Sequence, residues 1–260
     1  MVMILNNSEI GRLSEKVDER IFRRIDESRN FFYKLDENVF FLTFHWLDHQ
    51  KVTIYSCCDE LIVITDSKEV ADFAGNIDVP DNGMLQLYEF FMELTSEDIE
   101  KLENLENSIS ALEDRLLVDN KPDKEGISAI VTVRKKILHM KRYYEQMEFM
   151  TDEMAAADSS FAFIDKKFDR LLEFVIHLQE YEEQVREAYQ SQIDIEQNNI
   201  MKLFTVITTI FLPLTLLTGW YGMNLVMPEY KWAYGYPVVI AVAVAVVVIL
   251  MIIFKKRKWF

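Results

Sequence analysis

Glycine and proline are scarce in this chain, and between Ile127 and Leu212 there is neither. Seven glycines in 260 residues leave no Gly-rich loop of the kind that cradles phosphates. Neither a Ser/His/Asp nor a Cys/His arrangement is visible. Hydrolase chemistry and ATP-driven transport find no support, and no enzyme and no bound cofactor are expected. The only cysteines, Cys57 and Cys58, are adjacent in sequence. Such neighbours rarely bridge comfortably, so both are expected as plain buried thiols in a strand. Basic charge is short as well: 28 Lys and Arg stand against 43 Asp and Glu, a net charge of −15. That argues against nucleic acid as a partner and suits a chain that attracts cations. The first residues, Met1 to Asn7, carry no basic segment and no long apolar core. They do not read as a secretory signal, so the polar part is expected in the cytoplasm.

What the chain does have is two uncharged apolar runs near its end, Leu203 to Trp220 and Tyr236 to Phe254. Each is close to the ~20 residues a helix needs to cross a bilayer. Between them lie Gly222-Met223-Asn224 and a short segment to Gly235. After them comes a basic tail, Lys255 to Lys258, ending in Trp259-Phe260. Lys and Arg beside a span mark the cytoplasmic side. Two spans in the cell (inner) membrane then leave both termini cytoplasmic and the turn outside.

Ahead of the spans the chain divides in two. Phe31–Leu35, Val39–Phe44, Val52–Ser56 and Leu61–Thr65 are apolar and β-rich, with Asp36-Glu37-Asn38 and Asp59-Glu60 as turns, and read as hairpins. Residues 1–30 read as an irregular start with a short helix. Pro80-Asp81-Asn82-Gly83 closes this strand-rich subdomain, 1–83. Cytoplasmic helices follow over 84–158. Thr95-Ser96-Glu97-Asp98 is a start signal, and Leu102, Leu105, Ile109, Leu112 and Leu116 form one helical face. Asp158-Ser159-Ser160 looks like a break and the next N-cap. From there a stalk helix over 159–220 is expected to run into the first span. Phe161, Ile164, Phe168, Leu171, Val175, Leu178, Val185 and Tyr189 keep 3–4 spacing along it, with Glu182 interrupting the seam. An outer loop over 221–235, a second span over 236–254 and the tail 255–260 complete the division.

The stepping continues into the span with different chemistry. Asp194, Asn198, Met201, Phe204, Thr208, Leu212, Thr215 and Gly219 lie roughly on one stripe. Thr205, Thr208, Thr209, Thr215 and Thr218 make this span polar beside an almost purely aliphatic second one. Two readings stand. The threonines bond their own backbone or hold helices together, or the first span faces a pore. Two helices cannot enclose a pore, so the second reading requires a homo-oligomer. Pro213 removes a backbone donor in mid-span. His45 and His49, four apart, would suit zinc on a helix, but they fall at a strand end and turn with no third ligand. His139 and His177 read as helix-surface residues.

Lys202, Thr205, Pro213, Thr215, Gly219, Tyr221-Gly222-Met223-Asn224, Met227-Pro228-Glu229 and Gly235-Tyr236-Pro237, with the basic, Trp-bearing end, resemble the signature of the CorA family of divalent-cation channels. The resemblance is dense over about 190–260; residues 30–190 match only in element order. It implies an α+β cytoplasmic domain, a long helical stalk and two C-terminal transmembrane helices, assembled as a funnel-shaped homopentamer in the lipid bilayer. First spans would line the pore, and Gly222, Met223 and Asn224 would form the selectivity ring at the outer mouth. Members carry Mg²⁺, often Co²⁺ or Ni²⁺, inward without ATP; a smaller branch handles Zn²⁺. Mg²⁺ is thus expected as substrate and as a possible regulator. Neutral Asn224 oxygens suit an ion that keeps its waters, where carboxylates would hold it too tightly for rapid release. Met201 and Phe204 suit apolar gating rings, and Asn198 matches the family's amide below the gate. Asp194 stands where the family has a small polar residue; it is either an inner cation-concentrating ring or an outward-facing stalk acid. Glu229 either concentrates cations at the mouth or is a plain loop acid. The family's regulatory carboxylates find their nearest counterparts in Asp165 and Asp169, without a nameable partner. The competing readings are a Zn²⁺ transporter of the same fold and a non-transporting two-span scaffold or sensor.

Overall fold

The computed structural model describes residues 2–23, 30–47, 50–80, 82–118, 124–223, 232–257 and 259. The chain divides into two compact units, Met1–Glu187 and Ala188–Phe260.

The first unit is built on a five-stranded sheet. Strand β1 (Val2–Leu5) is followed by a 3₁₀ segment, Asn7–Glu15, and a short helix α1 (Glu19–Arg23). Strands β2 (Phe31–Asp36), β3 (Val39–His45), β4 (Lys51–Cys57) and β5 (Glu60–Thr65) then form an antiparallel meander. The order is β1-β5-β4-β3-β2, with β1 parallel to β5. The central strands are buried on both faces, which is why they read as continuous apolar runs rather than alternating ones. One face carries Phe41, Tyr55, Ile62 and Ile64 against Leu5, Leu13 and Val17 from the N-terminal segment. The other carries Phe40 edge-on to Phe161, and Phe44 against Phe91. Inside the sheet the Thr43 and Thr53 hydroxyls satisfy each other at 3.1 Å.

Helices α2 (Lys68–Gly75), α3 (Gly83–Leu94), α4 (Asp98–Val118) and α5 (Lys124–Ala157) follow. The Asn82 side chain caps α3 by accepting from the Met84 and Leu85 amides at 3.0 and 3.2 Å. Gly83 is required there, because a Cβ would sit 1.7 Å from the Cys57 carbonyl oxygen. The apolar face expected on α4 is buried at all five positions, Leu102 to Leu116. Asp158 caps the next turn by accepting from Ser160 N–H at 3.0 Å. After that turn α6 runs as one helix, Ala162–Tyr221, with Pro213 inside it. The seam residues Phe161, in the turn just before it, and Ile164, Phe168, Leu171, Val175, Leu178, Val185 and Tyr189 along it are all buried, and so is Glu182. Helix α7 (Gly235–Lys256) is the last helix among the described residues.

Three expectations need correction. The start of the chain contributes a strand, β1, not only irregular structure. It is four residues long, and its parallel partner lies more than fifty residues away, so no local turn announces it. Helix α2 lies where no helix was expected; only Val70 and Ala74 of its eight residues are fully buried, too short a repeat to read. The cysteines are not both buried strand thiols. Cys57 ends β4 half-buried, and Cys58 is exposed in the two-residue hairpin loop Cys58-Asp59.

Candidate pore and metal-binding site

Among the described residues two helices, α6 and α7, contain segments long and apolar enough to cross a membrane. At 1.5 Å per residue the 22 residues of α7 measure roughly 33 Å, matching a hydrocarbon layer of about 30 Å. Trp220, Trp232, Tyr234 and Tyr236 are exposed around the ends that meet near Gly222. Amphipathic rings of this kind favour the bilayer–water boundary. At the other end of α7, Lys255 and Lys256 lie in the last turn, and Trp259 packs on Phe254 with ring centres 5.5 Å apart.

Within the second unit α6 has two different sides. Leu214, Leu217, Thr218 and Tyr221 face α7 across a cleft of about 530 Å³, whose far wall includes Tyr236, Val239 and Ile240. The stripe points elsewhere. Thr208, Leu212, Thr215 and Gly219 line an open groove of about 700 Å³ with Phe211 and Met223. At about 100° per residue the two sets lie roughly 140° apart around the helix. Asp194, Asn198, Met201 and Phe204 are exposed on the same stripe farther down. The eight positions are therefore brought onto one uncovered side.

The threonines divide. The Thr205 and Thr208 hydroxyls donate to the Met201 and Phe204 carbonyls, each at 2.8 Å, and Thr218 donates to Leu214 at 3.0 Å. For these three the self-bonding reading holds, and it coexists with an uncovered position on the stripe for Thr208 and an exposed one beside the stripe for Thr205. Thr215 Oγ1 makes no hydrogen bond among the described residues. Asp194 accepts from the Gln190 amide at 3.0 Å, one turn before it on the same helix.

Gly222 N–H donates to the Thr218 carbonyl at 2.9 Å, so the helix winds to its last turn just before the tripeptide. Gly222 and Met223 are exposed there. Asn224 and Glu229 lie outside the described residues. Gly219 has open space where a Cβ would stand.

The candidate regulatory acids sit in the first unit. Asp165 accepts from the buried Thr151 hydroxyl at 3.4 Å, and Asp169 is exposed one turn along. Burial, then the charges of Asp169 and Asp152, raise the Asp165 carboxyl. Burial, then Asp169, Asp152 and Asp165, raise Glu148. Glu148 and Asp152 of α5 thus lie close enough to Asp165 for their charges to act on it and on one another. Among the described residues no three His, Cys, Asp or Glu side chains are arranged to hold a metal ion. His45 ends β3, and its ring meets the Asn30 side chain at 3.0 Å; its fellow His49 lies outside the described residues. His177 is exposed, whereas His139 is half-buried against the Leu47 carbonyl rather than on the open surface.

One polar group that the sequence presents only as part of a helix start has a different setting in the fold. Asp98, the first residue of α4, is fully buried, and neither of its oxygens has a hydrogen-bond partner of ordinary geometry among the described residues. It faces Tyr143 and Tyr144 of α5, Lys167 of α6, and Lys101 at 3.8 Å. Burial raises its carboxyl. Its place in a helix-start signal gave no hint of this, since such acids usually face solvent.

The chain can be set beside known proteins on these grounds. It is 30% identical over 184 residues to the cobalt/magnesium transport protein CorA of Thermotoga maritima, covering 66% of this chain and 52% of that one. The chain thus spans about half the length of that relative. In fold it resembles the CorA magnesium transporter from Methanocaldococcus jannaschii, with a TM-score of 0.76 and 20% identity over 100% of this chain and 91% of that one. The full-length CmaX protein is similar too, at a TM-score of 0.74 and 18% identity over 99% of this chain and 88% of that one. The family model described as CorA-like Mg²⁺ transporter protein matches residues 13–256. The chain belongs to that family.

Proposed function

We propose that this chain forms a channel for divalent metal cations, with Mg²⁺ as its principal substrate, and that the working unit is a homopentamer. The observation that carries this is the two-sidedness of α6. One side meets α7, and the other presents Thr208, Leu212, Thr215 and Gly219 to open space. Copies arranged with those sides inward enclose a lumen, and α7 then faces lipid. Both termini lie in the cytoplasm of a cell with this membrane, consistent with Lys255 and Lys256 at the end of α7.

Each residue takes a task from its chemistry. Gly222, Met223 and Asn224 bind the incoming ion through its water shell with neutral oxygens, because Mg²⁺ sheds water reluctantly. Thr208 and Thr215 offer hydroxyls along the wall. Met201, Phe204 and Leu212 form apolar constrictions that close by dewetting. Asn198 and Asp194 receive the ion at the inner end. Asp165 and Asp169 sense cytoplasmic Mg²⁺ with Glu148. Glu229 raises the cation concentration at the mouth.

The test is Mg²⁺ entry into liposomes carrying the purified protein, read with an enclosed fluorescent indicator, beside Asn224→Ala. Entry with the unaltered chain and loss of at least tenfold with the variant are expected. No entry with the former, or full entry with the latter, removes the reading. Co²⁺ and Zn²⁺ in the same assay set the substrate range.

A further inference from the structure

The first unit carries two unlike surface features. On α5, Phe149 stands 63% exposed. Glu145, Asp152 and Glu153 lie three or four positions from it, which on a helix places them around it. Asp152 and Glu153 form no ion pair among the described residues. The second feature is an apolar groove of about 310 Å³ where α3, α4 and α6 meet, floored by Ile99, Phe163, Leu171 and Phe174. Ile99 and Phe163 are 51% and 58% exposed. Its rim is basic, with Lys166 and Arg170 exposed and Lys167 half-buried. Neither Lys166 nor Arg170 forms an ion pair among the described residues. In a chain of net charge −15, an apolar hollow ringed by three cations is out of keeping with the rest of the surface.

The two features share a level. Thr151 meets Asp165, Tyr144 meets Phe168, and Lys141 meets Gln179, so α5 and α6 run antiparallel with nearly constant register. That register sets Phe149 opposite Lys167, in the middle of the stretch that lines the groove. A rotation about an axis parallel to this helix pair carries the aromatic knob of one copy toward the groove of the next with no shift along the axis. A knob and a hollow at different places on one chain make a head-to-tail contact, and such a contact gives a ring when its rotation closes without a shift along the axis.

We propose that Phe149, framed by Asp152 and Glu153, seats in the Phe163–Ile99 groove of a second copy of this chain, with Lys166 and Arg170 pairing to those carboxylates. The proposal rests on the ring of identical copies inferred above and names the contact that holds its soluble part together. An exposed aromatic entering a charged-rimmed hollow is the usual form of an interface anchor, and the charge pairing sets the direction of the ring.

The test uses the full chain in detergent with Cys57→Ser and Cys58→Ser as background. Phe149→Cys and Phe163→Cys are made singly and together and treated with a short bismaleimide. The double variant is expected to give a ladder beyond the dimer on a denaturing gel, and each single variant no cross-linked species. Lys166→Glu with Arg170→Glu is expected to abolish most of the ladder in that double variant; adding Asp152→Lys and Glu153→Lys restores it. Native mass spectrometry of the same samples reads the assembly. An oligomer without a ladder, or dimers from a single variant, overturns this contact and leaves the ring standing. A monomer overturns both.

Discussion

The Gly222 amide donates to the Thr218 carbonyl at 2.9 Å, and a Cβ on Gly222 would stand 3.0 Å from the same oxygen. The last turn of α6 therefore closes around a residue with no side chain. Gly222→Ala forces that carbonyl or the turn to give by a few tenths of an ångström. Gly219, one turn earlier, has nothing within 4 Å of its Cβ position. Gly219→Ala should leave the fold of the single chain intact, with any gain limited to the ~1 kcal/mol by which alanine favours helix. In the flux assay Gly222→Ala is expected to lose roughly tenfold through the displaced filter. Gly219→Ala is expected to lose flux with a Tm unchanged or a few degrees higher, because the methyl projects only into the lumen. Equal flux from Gly219→Ala and the parent would place that glycine off the pore.

Asp98 makes the stability of the first unit depend on pH. Burial raises its carboxyl, so the folded chain keeps that proton at a higher pH than the unfolded chain does. The contribution is complete below about pH 4, the ordinary Asp range, and is lost as pH rises through the raised value. Thermal unfolding of the full protein in detergent should show this part of the profile flattened in Asp98→Asn. A variant profile parallel to the parent's from acid to neutral pH would deny Asp98 that role.

Glu182 is a buried acid in the seam of α6, with Oε1 lacking a hydrogen-bond partner among the described residues. Burial raises its carboxyl, against the opposing pull of Arg134 and Arg186. Replacing buried ionic groups by packed apolar ones is commonly neutral or stabilising by about 1–4 kcal/mol. Glu182→Leu should raise Tm by several degrees, at about 2–4 °C per kcal/mol for a unit of this size. Hydrogen exchange should show slower opening around Gln179 and Val185. A fall in Tm would mean that the attraction of Arg134 and Arg186 outweighs the desolvation.

Asp165 and Asp169 crowd Glu148 and Asp152 with like charge. Added Mg²⁺ should relieve that repulsion and raise Tm by an amount that grows with its concentration. Asp165→Asn with Asp169→Asn should remove most of the Mg²⁺ dependence while raising the metal-free Tm. An identical Mg²⁺ shift in parent and variant would place the binding carboxylates elsewhere.

The parts of this molecule that could be read in the sequence rest on period and punctuation. The cap at Asp158, the seam from Phe161 to Tyr189 and the two apolar runs are statements about neighbours three or four residues apart. Each depends on local chemistry that a single helix expresses by itself. The stripe from Asp194 to Gly219 is legible for the same reason. What that stripe faces is not, because only the fold decides that Leu214, Leu217 and Tyr221 take the side toward α7. Strand β1 depends on Val2 finding Leu61, and the acid cluster on Glu148 coming beside Asp165. Both are encounters between distant stretches that leave no periodic trace. Asp98 was hidden by resemblance to an ordinary helix start, although its burial is set by α5 and α6 rather than by its own helix.

The inward-bonded hydroxyls of Thr205 and Thr208 have an effect on charge sign that involves no formal charge. Each spends its only proton on the helix backbone, at 2.8 Å. What remains toward the lumen is oxygen lone pairs. Water around a cation turns its hydrogens outward, whereas water around an anion turns its oxygen outward. In the proposed channel these two oxygens accept the hydrogens of a passing cation's shell and donate nothing to the outward oxygens of an anion's shell. Polarity is thereby written into the direction of a few hydroxyl bonds.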